Sequence, residues 1–145
     1  MATRSIEMLV ARVEALEDYE ESSNALLEVL HLDPAVCARL ALNMLSSGAG
    51  DVHLRSLAFC MLYRADRSRA FEHVRQCAPS CDSEVFATML DEVSDDVGLL
   101  NESQELQKIV EFLRGIILVR GRSPSGLMAK AIEQFARLYK LPFPS

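Results

Sequence analysis

Apolar residues recur at intervals of three and four along most of this chain, in runs parted by short polar or Gly/Pro breaks. No stretch shows the period of two that marks an ordinary half-buried strand. The pattern predicts an all-α protein of about eight helices. Ile6, Leu9, Val13 and Leu16 form the stripe of a first helix ending near Glu17. Ser22 or Ser23 is placed to cap a second helix with Leu26, Leu27, Val29 and Leu30, which Asp33-Pro34 ends while opening the next. Val36, Cys37, Leu40, Ala41, Met44 and Leu45 line the third, and Ser46-Ser47-Gly48-Ala49-Gly50 breaks it.

Asp51 caps a fourth helix, Val52 to Tyr63, that is apolar almost all round and therefore expected in the middle of a core. Phe71, Val74 and Cys77 or Ala78 mark a fifth, stopped by Pro79. Asp82 or Ser83 starts a sixth with Val85, Phe86, Met89, Leu90 and Val93 inward. Ser94 to Ser103, acidic and containing Gly98, is expected as a loop before a seventh helix carrying Leu106, Ile109, Val110, Leu113, Ile116 and Ile117. The β-branched end of that helix, Ile116 to Val119, fits a helix least well. Gly121 to Gly126 breaks the chain, and a last helix from about Ser125 to Lys140, with Met128, Ala131, Ile132, Phe135 and Leu138 or Tyr139 on one face, ends at Pro142 and Pro144.

Helix pairs over 22–46, 51–78 and 83–119 are predicted to form successive antiparallel hairpins. Leu30-His31-Leu32-Asp33-Pro34-Ala35-Val36 followed by Leu40 and Ala41, and Asp51-Val52-His53-Leu54-Arg55 followed by Ala58 and Leu62, give an Asp, aliphatic, Arg, Ala and Leu spacing that resembles the HEAT repeat family over roughly residues 22–80. Cys37 replaces the arginine in the first copy, and the third hairpin lacks the motif. The resemblance implies stacked hairpins in an α-solenoid; an irregular helical bundle accommodates the same segments.

With 145 residues the chain is expected to make one domain that buries about 68–70% of its unfolded surface. Half of the residues are hydrophobic and a quarter charged, unlike a disordered chain. The start of the chain has charges too early for a secretory leader, and no apolar run approaches the length of a membrane span. Four cysteines without an export signal favour a reducing compartment, so the cytoplasm is the expected location.

Charge is unevenly distributed. Residues 1–33 carry a net −6, 34–80 carry +3, 81–113 carry −8 and 114–145 carry +5. The acids gather at two connections: Glu14, Glu17, Asp18, Glu20 and Glu21 after the first helix, and Asp91, Glu92, Asp95, Asp96, Glu102 and Glu105 around the connection after the sixth. Like charges this close repel one another, which a cationic partner would relieve. The same acids could instead be a solvated face balanced by the chain's own basic blocks. Nucleic acid is disfavoured as a ligand because phosphate binding needs Lys and Arg. The basic C-terminal block of Arg114, Arg120, Arg122, Lys130, Arg137 and Lys140 is read as a counterweight to the acidic connections.

Catalytic chemistry is thin. His73, Cys77 and Cys81 stand four apart and could share a face as metal ligands, but no fourth ligand stands at a recognised spacing, so core thiols and a surface histidine fit equally well. Cys37 and Cys60 fall on apolar faces; His31 and His53 stand next to helix ends. There is no phosphate-binding glycine loop, G-x-S-x-G elbow or H-E-x-x-H pair. No enzyme, cofactor or metal is therefore expected.

A small acidic helical chain of this kind is similar to bacterial immunity proteins, many of which cover the basic cleft of a nuclease toxin. The leading expectation is a non-enzymatic protein-binding module that docks a basic toxin domain through Glu17, Asp18, Glu20, Glu21, Asp91, Glu92, Asp95, Asp96, Glu102 and Glu105. The alternatives are a scaffold or adaptor that holds a helical peptide in an apolar groove and, less favoured, a metal-dependent enzyme or a nucleic-acid binder.

Overall fold

The computed structural model describes residues 6–15, 19–47, 51–120 and 126–140. Among them are eight α-helices and no strand: α1 Ile6–Ala15, α2 Tyr19–Leu32, α3 Pro34–Ser47, α4 Val52–Ala65, α5 Arg67–Cys77, α6 Ser83–Ser94, α7 Gln104–Arg120 and α8 Gly126–Leu138. The all-α class read from the apolar periodicity is the class observed. Leu16, the breaks expected at Gly48-Ala49-Gly50 and Gly121 to Ser125, and the stops at Pro142 and Pro144 lie outside the described residues. No described helix is long and apolar enough to cross a membrane.

Short aspartate and serine caps set four of the helix starts. A carboxylate or hydroxyl oxygen there accepts from backbone N–H groups that the first turn leaves without partners. The Asp33 Oδ1 accepts from Ala35 N and Val36 N at 3.1 and 3.3 Å and starts α3. Asp51 does the same for α4 through Leu54 N at 2.8 Å, Asp66 for α5 through Arg69 N at 3.2 Å, and the Ser103 hydroxyl for α7 through Leu106 N at 3.1 Å. Asp82 occupies the cap position of α6 without a side-chain cap bond.

The serines expected to cap the second helix do something else. The helix begins at Tyr19, so Ser22 lies within it, buried, with its hydroxyl donating to the Arg12 carbonyl of α1 at 3.3 Å. Turning Ser22 inward rotates the buried stripe of α2 onto Ala25, Leu26 and Val29, leaving Leu27 39% exposed and Leu30 half-buried.

The chain forms two compact units, Met1–Ala70 and Phe71–Ser145. In the first, α1 packs on α2, α2 on α3, and α3 most closely on α4, with α2 also reaching α4. The contacts are close because Ala25, Ala38, Ala41 and Ala58 stand between the larger Leu9, Leu26, Leu40, Phe59 and Leu62, all of them buried. As expected from its nearly continuous apolar surface, α4 buries Leu54, Ala58, Phe59, Met61, Leu62 and Tyr63.

In the second unit, α6 approaches α8 far more closely than it approaches α7, its neighbour in sequence and its expected hairpin partner. The inner face of α7 is made of large side chains, Leu106, Ile109, Leu113 and Ile117, whereas α8 offers Ala131 and Ala136 beside Ile132 and Phe135, and α6 offers Ala87. Small residues let two helix axes come together; large ones hold them at the wide end of the usual 8–10 Å range. The β-branched end of α7 stays helical through Arg120, with Ile117 buried and Leu118 and Val119 exposed.

Phe135 is fully buried in α8 and stacks on Tyr139 in a tilted pair with ring centroids 4.9 Å apart. Phe135→Ala is expected to lower the unfolding free energy by about 3–5 kcal/mol, the loss typical of a buried aromatic ring and its cavity, in a urea titration followed by circular dichroism.

Candidate functional site

Helix ends sort the acidic residues into two kinds. The N-terminus of a helix carries partial positive charge and the C-terminus partial negative charge, so an acid is stabilised at the first and destabilised at the second. Glu20 and Glu21 lie in the first turn of α2 and Glu105 in the first turn of α7, where they are favoured. Glu21 also pairs with Arg12 of α1, which neutralises part of the first acidic group. Glu17 and Asp18 lie outside the described residues. Glu102 is exposed in the turn before α7.

Asp91, Glu92, Asp95 and Asp96 are the unfavourable kind. They crowd the C-terminal end of α6, whose last turn holds no basic residue. Burial, then the neighbouring carboxylates of Asp95 and Glu92, push the Asp91 carboxyl above its ordinary range. The structure thus brings four of the expected site residues into one group in the second unit; the Glu20 and Glu21 group belongs to the first.

Backbone bonds hold this corner in shape. Asp95 N donates to the Asp91 carbonyl at 3.2 Å and Asp96 N to the Val93 carbonyl at 3.1 Å. The second lone pair of Val93 O accepts the Tyr139 hydroxyl at 2.5 Å, which sets the C-terminal ends of α6 and α8 side by side. The buried Ser94 hydroxyl donates to Leu90 O at 2.7 Å. The segment expected as a plain loop contains a short 3-10 turn, Val97–Leu99, closed by Leu99 N to Asp96 O at 2.8 Å, and Gln107 Nε2 reaches back to Leu100 O at 2.7 Å. Leu99, 37% exposed, adds an apolar contact point beside the acids. The Tyr139 hydroxyl, pushed up by burial and by the Asp96 and Asp95 carboxylates, stays protonated and keeps donating at physiological pH.

A second group lies at the other end of α6. The Cys77 carbonyl accepts from Ser80 N at 3.0 Å and Cys81 N at 2.8 Å, folding the two thiols onto one turn. Arg120, at the end of α7, spans this turn: Nη1 donates to Ala78 O at 2.6 Å and contacts Cys81 Sγ at 3.6 Å, and Nη2 donates to Cys81 O at 2.7 Å. Its guanidinium lies 4.8 Å from the Phe86 ring centroid. Arg120 is therefore a latch rather than part of an open basic surface, and Arg114 pairs with Glu111 at 3.6 Å.

His73 is buried, contrary to the surface position considered for it, and its Nδ1 lies 3.8 Å from Cys77 Sγ. Burial lowers the His73 pKa. It raises both thiols, with Arg120 pulling Cys81 back down in part. Among the described residues no three His, Cys, Asp or Glu side chains are grouped to hold a metal ion. Cys37 is a core thiol, its Sγ 3.7 Å from Leu26 O and its pKa pushed up to about 11 by burial. Cys60 is half-buried, and His31 and His53 are exposed.

The residues that sequence reasoning missed are Tyr139, Leu99 and the latch role of Arg120. Tyr139 stood on the expected face of the last helix, yet its partner is 46 residues away in sequence. Comparisons with family models, with curated proteins and with solved structures find no match to this chain.

Tyr139→Phe removes one buried hydrogen bond and is expected to cost about 1 kcal/mol of stability in a denaturant titration. For His73 the folded pKa lies below the unfolded one, so the unfolded chain binds the extra proton and stability falls as pH drops below about 6.5. Denaturation midpoints measured between pH 7.5 and 5.5 should show this loss, and His73→Gln should flatten it.

Proposed function

We propose that this chain is a non-enzymatic, HEAT-like helical binding module whose acidic corner docks a cationic protein, and that it acts as an immunity protein covering a basic toxin domain. The observation that carries the reading is the grouping of Asp91, Glu92, Asp95 and Asp96 at the C-terminal end of α6, where the helix dipole and mutual repulsion both oppose it. After burial, the charges that push the Asp91 carboxyl up are the carboxylates of Asp95 and Glu92. A partner that brings positive charge recovers that energy on binding, and long-range attraction accelerates the encounter.

The frame supports the same reading. Because Tyr139, Gln107 and the 3-10 turn fix the backbone between α6 and α7, the acids are presented with little ordering left to lose on docking. Leu99 gives the centre of the contact an apolar group. The aspartates of the two HEAT-like turns, Asp33 and Asp51, both serve as helix caps, as that motif requires.

The test is the triple variant Asp91→Asn, Glu92→Gln, Asp95→Asn. Its own stability should rise by about 0.5–1 kcal/mol, since like charges and an unfavourable dipole contact are removed. Its association with a basic nuclease-toxin domain, measured by stopped flow at several salt concentrations, should slow at least about tenfold at low salt and lose most of its salt dependence. Unchanged association kinetics would place the docking surface elsewhere; loss of binding on replacing apolar surface residues alone would favour the peptide-groove reading.

A further inference from the structure

The turn that joins α5 to α6 holds two thiols with complementary neighbours, and nothing in the binding function uses them. Cys77 and Cys81 are both free and half-buried, hence reachable by a small reagent, whereas Cys37 is sealed in the core. The Cys81 N–H to Cys77 O bond fixes a four-residue spacing on one turn. On a continuing helix, side chains four apart have Cβ atoms about 5–6 Å apart, and the turn after α5 keeps the same N–H to carbonyl closure. A disulfide needs about 3.5–4.5 Å, so closure asks for a shift of about 1–2 Å. Cys77 is the last residue of α5 and Cys81 lies in the turn that follows, so the shift falls on the turn and on its bonds to the Cys77 carbonyl rather than on the body of α5.

Each sulfur also has a polar neighbour within contact distance. His73 Nδ1 lies 3.8 Å from Cys77 Sγ on the same helix face, within reach as an acceptor of the thiol proton. Arg120 Nη1 lies 3.6 Å from Cys81 Sγ, a cation positioned to stabilise the thiolate. We propose that Cys77 and Cys81 form a reversible dithiol–disulfide site that exchanges with low-molecular-weight disulfides of the glutathione type, with His73 as the base for Cys77 and Arg120 as the counter-ion of Cys81.

The chemistry balances in two displacements. His73 takes the Cys77 proton, and the thiolate attacks one sulfur of the small disulfide, forming a mixed disulfide and releasing one small thiolate, which recovers a proton. Cys81, deprotonated beside Arg120, then attacks the Cys77 sulfur and expels the second small thiolate. Two protein thiols lose two electrons and two protons; one small disulfide gains them and leaves as two thiols.

The experiment uses the full chain, folded, in glutathione buffers of increasing oxidised fraction, quenched by acid and alkylated before trypsin digestion. Cleavage after Arg75 and Lys108 yields a peptide holding Cys77 and Cys81 and neither of the other cysteines. As the buffer becomes oxidising, that peptide should pass from the doubly alkylated form to an unalkylated form two hydrogens lighter than the dithiol, and dithiothreitol before alkylation should reverse this, while Cys37 remains a thiol. Cys81→Ser, a conservative change, should accumulate the mixed disulfide on Cys77, and His73→Gln should slow its formation about tenfold. Arg120→Ala should lengthen the life of the mixed disulfide about tenfold. The proposal is overturned if no bridge forms in fully oxidised glutathione, if it forms no faster in the folded chain than in urea, or if the wild-type chain stops at the mixed disulfide. None of these outcomes bears on whether the acidic corner binds a cationic protein.

Discussion

The hydrogen bond from the Tyr139 hydroxyl to the Val93 carbonyl is the contact on which the order of the acidic corner depends. It fills a carbonyl that the end of a helix leaves half-satisfied, and it ties the last described turn of the chain to the point where α6 gives way to Asp95 and Asp96. Burial first, and then the Asp96 and Asp95 carboxylates, push the hydroxyl's pKa further up, which strengthens its hold on the proton it donates. At the opposite end of α6, Arg120 performs the matching task with a charged group, covering the carbonyls of Ala78 and Cys81 while its flat face meets Phe86. One helix is thus held at both ends by side chains from later in the chain.

A helix anchored in this way can carry charges that would otherwise fray it. Four acids gather at its C-terminal end although the last turn of α6 itself holds no basic residue. Contrast the acids at the starts of α2 and α7, which assist their helices and need no partner to explain them. Position relative to the helix, rather than the number of carboxylates, separates the group with a functional reading from the one without.

Much of this architecture is legible in the letters because it is local. The three-and-four spacing marks every helix, and Asp33, Asp51 and Ser103 mark where three of them start. What escapes sequence reasoning is non-local. Ser22 is a good cap in isolation, but a carbonyl ten residues earlier draws it into the α1–α2 contact. The α6–α8 partnership joins helices that α7 separates in sequence, each burying small residues: Ala87 in α6, Ala131 and Ala136 in α8. The acidic clustering is visible from residue spacing alone, whereas its dependence on Tyr139 and the burial of His73 appear only once the chain is folded.

Cys37 is packed between α2 and α3 with its thiol held far on the protonated side. An alkylating reagent can reach that sulfur only when the helices around it come apart. The speed at which Cys37 becomes labelled in otherwise native buffer is therefore a built-in gauge of how often the first unit opens, readable without an added probe.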